Sequence, residues 1–271
     1  MNSTATLEQL QQLHLHGMAG AYQGIMSLPF NQHPEAHELL ALLAEAETQH
    51  RSLERTKLYL KLSKLRFNAR LDQVTCGSER NLEKRQLAAL TDCSFIDRAE
   101  NILITGATGC GKSYIACAIG NQACLMGHKA HYFNLNRFVE RITLSRLEGT
   151  FVKMLNQLDK FHLLIIDDFG LAPLDQSTRL ALLQLLEDRY AKRSTIIASQ
   201  LPVSKWHEYR ANPTLADANM DRNLSARRGS SPSPNGSNRK DPHEGTGNQK
   251  KACNFVMFLE TLPKVVQVAP E

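Results

Sequence analysis

The chain has 271 residues, 42% of them hydrophobic and 22% charged, enough apolar side chain for one large domain and a smaller one. Its 32 Lys and Arg against 27 Asp and Glu give a formal net charge of only +5, so it is no polycation, although its positive residues cluster. No stretch approaches the roughly 20 apolar residues that cross a bilayer. Met1 to Thr4 lacks the basic and apolar regions of a signal peptide, and the six cysteines form no C-x-x-C pair. The expectation is a cytoplasmic protein with reduced thiols and no membrane partner.

Residues 1–72 read as a helical N-terminal domain. Leu7, Leu10 and Leu13 pattern one helix; Leu39, Leu40, Leu42, Leu43 and Ala46 pattern a second after the break from Pro29 to Pro34; Leu53, Leu58, Leu62 and Leu65 continue as a third. Arg51, Arg55, Lys57, Lys61, Lys64, Arg66 and Arg70 face a single acid within their stretch, Glu54, and are expected on the side away from the leucines. Such density is either a nucleic-acid footprint or a solvated helix face.

Residues 73–225 read as a second domain. Val74 to Ser78 suit a loop, and Leu82, Leu87 and Leu90 a helix. Asn101 to Thr105 is strand-like and runs into Gly106-Ala107-Thr108-Gly109-Cys110-Gly111-Lys112-Ser113, which fits the phosphate-binding pattern G-x-x-x-x-G-K-[ST]. Its glycines let successive backbone N–H groups converge on a polyphosphate, and a helix beginning near Lys112 adds its positive dipole end. Lys112 is expected on the β- and γ-phosphates of a nucleoside triphosphate, Ser113 on Mg²⁺, and Tyr114 beside the loop. Downstream, Ile115, Ala116, Ala118, Ile119 and Ala123 make an almost wholly apolar helix, on which Cys117 and Cys124 read as small buried thiols.

Lys129 to Phe133, Leu163 to Ile166 and Thr195 to Ser199 are further strand-like runs separated by helical patterns, so the fold class is α/β with a parallel sheet. Leu163 to Ile166 runs into Asp167-Asp168. Asp167 is expected to hold Mg²⁺, and Asp168, pointing to the other side, to orient or deprotonate the attacking water. Ser199 and Gln200 close the last run as polar contacts between phosphate and water. Arg222 is the favoured arginine acting across a subunit boundary; Arg189 reads more readily as a helix-surface ion pair. Residues 226–271 begin with a Ser/Pro/Gly-rich run lacking periodicity and are expected to be disordered or non-native.

The strand and loop from Asn101 to Ser113, Leu164 to Gly170, Ser199 to His207, and Asp217 to Arg222 together resemble the AAA+ ATPases of the IstB/DnaC/DnaA clade, and IstB-like transposition helpers in particular. The resemblance covers residues 1 to about 222. It implies an ATP-hydrolysing protein that assembles with copies of itself on double-stranded DNA and serves a cognate transposase. A helicase loader of the same fold is the first alternative, and an adaptor that binds ATP without turnover the second. The family would place an apolar helix and a last parallel strand after Arg222, flanking Asn101 to Thr105. That edge is expected to be open unless Phe255 to Leu259 or Val265 to Val268 returns to it.

Overall fold

The computed structural model describes residues 3–76, 82, 84–171 and 174–201, together with the backbone of 256–260. Its centre is a sheet in the order β2-β3-β4-β1-β5, from β1 (Asn101–Thr105), β2 (Ala130–Asn134), β3 (Leu163–Phe169), β4 (Ser194–Ser199) and β5 (Val256–Glu260). The first four strands in that order run parallel, and β5 pairs antiparallel with β1. Parallel neighbours need crossovers. These are α6 (Lys112–Leu125) from β1 to β2, α7 (Leu135–Leu147) and α8 (Phe151–Asp159) from β2 to β3, and α9 (Gln176–Arg189) from β3 to β4.

Helices cover both faces of the sheet. Leu163 and Ile165 of β3 join α6 and the short helices α4 (Lys84–Ala88) and α5 (Ser94–Asp97) in one core; Leu164 and Ile166 join α7, α8 and α9 in the other. This two-sided burial is why β3 is apolar without alternation. Cys117 and Cys124 are buried in the first core, as expected of small apolar residues.

The N-terminal segment is helical as expected: α1 (Ser3–Gln12), α2 (His16–Met26) and α3 (Ala36–Ser63), the last about 42 Å long. Gly17 lets α2 approach α3 closely, since a Cβ there would stand 2.5 Å from the Ala46 carbonyl oxygen. The buried Glu47 accepts from the Gly17 and Met18 N–H groups, at 2.8 and 3.1 Å, satisfying donors at the start of α2 that no helical carbonyl reaches.

Three expectations need correction. Leu53, Leu58 and Leu62 are exposed, because α3 turns Tyr59, Leu60 and Ser63 toward the α/β core and its middle spans between α2 and that core. Arg189 makes no surface ion pair: it is 1% exposed and donates to the carbonyls of Leu158, Phe161, His162 and Ser194 and to Thr195 Oγ1. The edge of β1 is not open, since β5 registers Asn101 with Glu260 and Thr105 with Val256. Within the 226–271 tail this strand is the part described; the rest lies outside the described residues.

Candidate functional site

The glycine loop rises from the end of β1. Gly109 and Gly111 hold φ of +82° and +93°, a region that L side chains rarely adopt, and an added Cβ at either would meet nothing within 4 Å. The loop is therefore uncrowded at both glycines. Gly111 caps α6, so the unpaired N–H groups of that helix begin at Lys112 and Ser113. Lys112 is 7% exposed, and its Nζ donates to the Gly106 and Ala107 carbonyls at 2.9 and 2.8 Å and lies 3.9 Å from Cys110 Sγ. These partners are neutral, which leaves a buried ammonium suited to an incoming anion. Tyr114 donates to Gln73 at 3.2 Å, and a small cavity of about 160 Å³ opens between the 73–75 segment and Gly109 to Ile115.

The two acids of β3 stand at the same end of the sheet. Ile196 of β4 pairs with both Ile102 and Ile165, so Asp167 is level with Ile104. Simple alternation then fails: Ile166 pairs with Ile197 and Phe169 with Ser199, so Asp167 and Asp168 together oppose one residue. Such a bulge re-aims side chains. Asp168 adopts φ +58°, uncommon for a residue with a Cβ and tolerated best by Asn and Asp. Its N–H donates to Asp167 Oδ1 at 2.9 Å, which ties the two acids into one unit.

β2 supplies both their partners. Tyr132 Oη donates to Asp167 Oδ2 at 2.7 Å, and Asn134 Nδ2 donates to Asp168 Oδ2. Burial, followed by the Asp167 charge, holds the Asp168 carboxyl above the usual aspartate range, while the Arg66 charge and then the bond from Asn134 pull it back. A carboxyl so raised is a better proton acceptor than an ordinary one. Neither Asn134 nor Tyr132 was signalled by sequence, because both lie on a separate strand more than thirty residues from their partners.

Ser199 and Gln200 separate in role. Ser199 is fully buried; its hydroxyl donates to the Phe169 carbonyl at 2.8 Å and accepts from the Leu201 N–H at 3.0 Å, tying the ends of β3 and β4. Gln200 instead reaches the loop, where its Oε1 accepts from Thr108 Oγ1 at 2.6 Å. Arg222 lies outside the described residues.

Ser113, Asp167 and Asp168 offer only oxygen donors, the set Mg²⁺ prefers. The residues present therefore fit a Mg-nucleotide.

The basic residues do not form one uniform face. Arg51 pairs with Glu47 and Lys57 with Glu54, each at 2.7 Å, and Arg70 pairs with Asp72 at 3.1 Å. Arg55, Lys61 and Lys64 are exposed and make no ion pair among the described residues. Arg66 turns away toward Tyr132, and the interaction with Tyr132, followed by the charges of Asp168 and Asp167, holds its guanidinium in the charged form more firmly than usual.

Strand order, the loop leaving β1 and the acids leaving β3 define the class: this is a P-loop α/β protein. More narrowly, the chain belongs to the IstB-like ATP binding protein family, whose match spans residues 8–229. It is 40% identical over 217 residues to an insertion sequence ATP-binding protein of Sinorhizobium fredii, covering 80% of this chain and 89% of that one. It is 39% identical over 205 residues to that of insertion sequence IS1162 of Pseudomonas fluorescens, covering 75% and 89%. Among solved structures it resembles the DnaC helicase loader, at 20% identity and a TM-score of 0.43 over 60% of this chain and 88% of that one. No described helix is long and apolar enough to cross a membrane.

Proposed function

We propose that this chain is an ATP-hydrolysing, DNA-binding helper of an insertion-sequence transposase. The observation that carries the reading is the buried Lys112 ammonium, held by neutral partners at the mouth of a glycine loop, at the same sheet end as the Asp167–Asp168 bulge. Lys112 and the loop N–H groups of Gly106 to Ser113 bind the phosphates; Ser113 and Asp167 hold Mg²⁺. That ion neutralises phosphate charge when bound. Asp168, kept in place by Asn134, takes the proton of the attacking water, and Gln200 orients that water from the far side of the loop. Arg222 of a neighbouring copy completes the site, so turnover requires assembly.

DNA phosphates are met by Arg55, Lys61 and Lys64, with Arg51, Lys57 and Arg66 already engaged within the chain. The relatives, described as insertion sequence ATP-binding proteins, support a transposase as the partner. The test is DNA-stimulated release of phosphate by the wild type and by Lys112→Ala. Wild-type turnover with none in the variant is expected, and equal rates would remove the site assignment. One observation favours a second reading, an adaptor that binds ATP without turnover: the Asp168 carboxylate is occupied by Asn134. Nucleotide recovered unhydrolysed from the DNA-bound protein would select it.

A further inference from the structure

The segment that leaves α3 is strapped across the helix that carries Lys112 and Ser113. Lys64 ends α3 in a left-handed conformation, φ +54°, which turns the chain back over α6. Leu65 then packs on Gly120, where a Cβ would stand 2.8 Å from Leu65 Cδ2 and 2.6 Å from Ile165 Cδ1. Asn121 Nδ2 donates to the Ala69 carbonyl at 2.9 Å, and the Cys117 thiol lies against the N–H groups of Arg66 and Phe67.

This strap delivers Arg66 to the acids. Its guanidinium sits 5.2 Å from the Phe67 ring centroid and shares a cavity wall with Tyr132, whose proton is given to Asp167. Tyr132 donates and Asp167 accepts, and a cation beside the Tyr132 oxygen polarises the bond it donates. With Tyr132 on Oδ2 and the Asp168 N–H on Oδ1, both oxygens of Asp167 are fixed in direction, and each keeps a lone pair for a cation. The cavity that Arg66 and Tyr132 share, of about 830 Å³, is also lined by Lys64, Arg137, Arg141 and Asp168, so the guanidinium has room to move off Tyr132.

We propose that Tyr132 and Arg66 are positioning residues for Asp167, through which the seating of the helical segment on α6 sets how firmly the site holds Mg²⁺ with its nucleotide. The inference rests on the nucleotide-site reading above. Partners that orient a metal ligand typically contribute about 10- to 100-fold to metal affinity.

The test titrates Mg²⁺ into the full chain with a fluorescent ATP analogue and reads bound nucleotide. Tyr132→Phe is expected to raise the Mg²⁺ concentration for half-saturation about tenfold while leaving binding in EDTA unchanged. Arg66→Ala shifts it in the same direction, Arg66→Lys restores part of the loss, and Arg66→Ala adds nothing in the Tyr132→Phe background. A wild-type Mg²⁺ midpoint in Tyr132→Phe, or additive effects of the two changes, overturns the relay. Arg66 is exposed, so its variants carry the test even if Tyr132→Phe fails to fold, and a wild-type midpoint in Arg66→Ala is then decisive against it. If the wild type and Lys112→Ala alike bind no nucleotide, the site reading itself falls and the relay with it.

Discussion

Replacing Arg189 by Met asks whether this arginine serves the fold or the chemistry. It holds the end of α8, the start of β3 and the start of β4 together through bonds of 3.1 Å to the Leu158 carbonyl, 3.0 Å to Phe161, 3.5 Å to His162, 2.7 Å to Ser194 and 3.2 Å to Thr195 Oγ1. Burial pushes the guanidinium down to about 10, so the charge is kept at neutral pH at a cost on the order of 3 kcal/mol. Hydrogen bonds from a charged donor contribute about 1.5–3 kcal/mol each, and their sum exceeds that cost. Methionine fills much of the volume but removes all five bonds, and of the carbonyls involved those of Leu158 and His162 keep a donor, in the Phe161 and Ser194 N–H groups. The net loss should be about 3–5 kcal/mol, the range for breaking a buried charged network, out of a total stability of about 5–15 kcal/mol. Urea unfolding followed by circular dichroism measures it as a lower midpoint with an unchanged slope. Arg189→Lys keeps the charge but loses the planar fork, and should fall between. A wild-type midpoint in Arg189→Met together with lost ATP hydrolysis would refute the reasoning and return the residue to the catalytic candidates.

Asp168 accepts a proton only when ionised, and burial raises its pKa, so hydrolysis should be lost as pH falls through a value above the usual aspartate range. Asn134→Ala removes a bond that favours the ionised form and should move this acid limb further upward; a pH–rate profile with an unmoved limb separates Asn134 from Asp168. Gly120→Ala puts a methyl against Ile165 and Leu65 and should cost about 1–3 kcal/mol by thermal unfolding, since the side-chain ends must shift. Neutralising Lys61 and Lys64 together should weaken DNA binding and reduce the slope of log affinity against log salt by about 2. Arg51→Gln should leave that slope nearly unchanged and lower the melting temperature instead, because Arg51 is bound to the Glu47 that caps α2.

The legible parts of this chain are those that local chemistry dictates. Asn101 to Ser113 needs its glycines and lysine in one order whatever surrounds it, and Leu163 to Ile166 is apolar because both faces of its strand are covered. What escaped is set by distant partners. Arg189 looks like any charged residue at a helix end until β3 and β4 close over it, and its counterparts are carbonyls, which have no letter in a sequence. The leucines of α3 mislead because a helix that spans from α2 to the α/β core presents different faces along its length. The bulge at Asp167–Asp168 arises from pairing with β4, so alternation counted along β3 alone could not foresee it. Ser199 and Gln200 are adjacent in sequence, yet one seals a strand end and the other touches the phosphate loop.

The pairing of β5 with β1 carries a consequence for how the protein is made. Glu260, the last residue of β5, is added 61 residues after Ser199 closes the parallel part of the sheet. At about 5–20 residues per second, synthesis needs about 3–12 s to cover that span. Throughout that interval the strand that supports the phosphate loop has one side without a hydrogen-bonding neighbour, on a chain still held by the ribosome. Two nascent copies on one message meet in this window with the same unpaired edge, so slower translation between codons 200 and 260 should increase mispairing between chains, whereas the finished protein offers no such edge at β1.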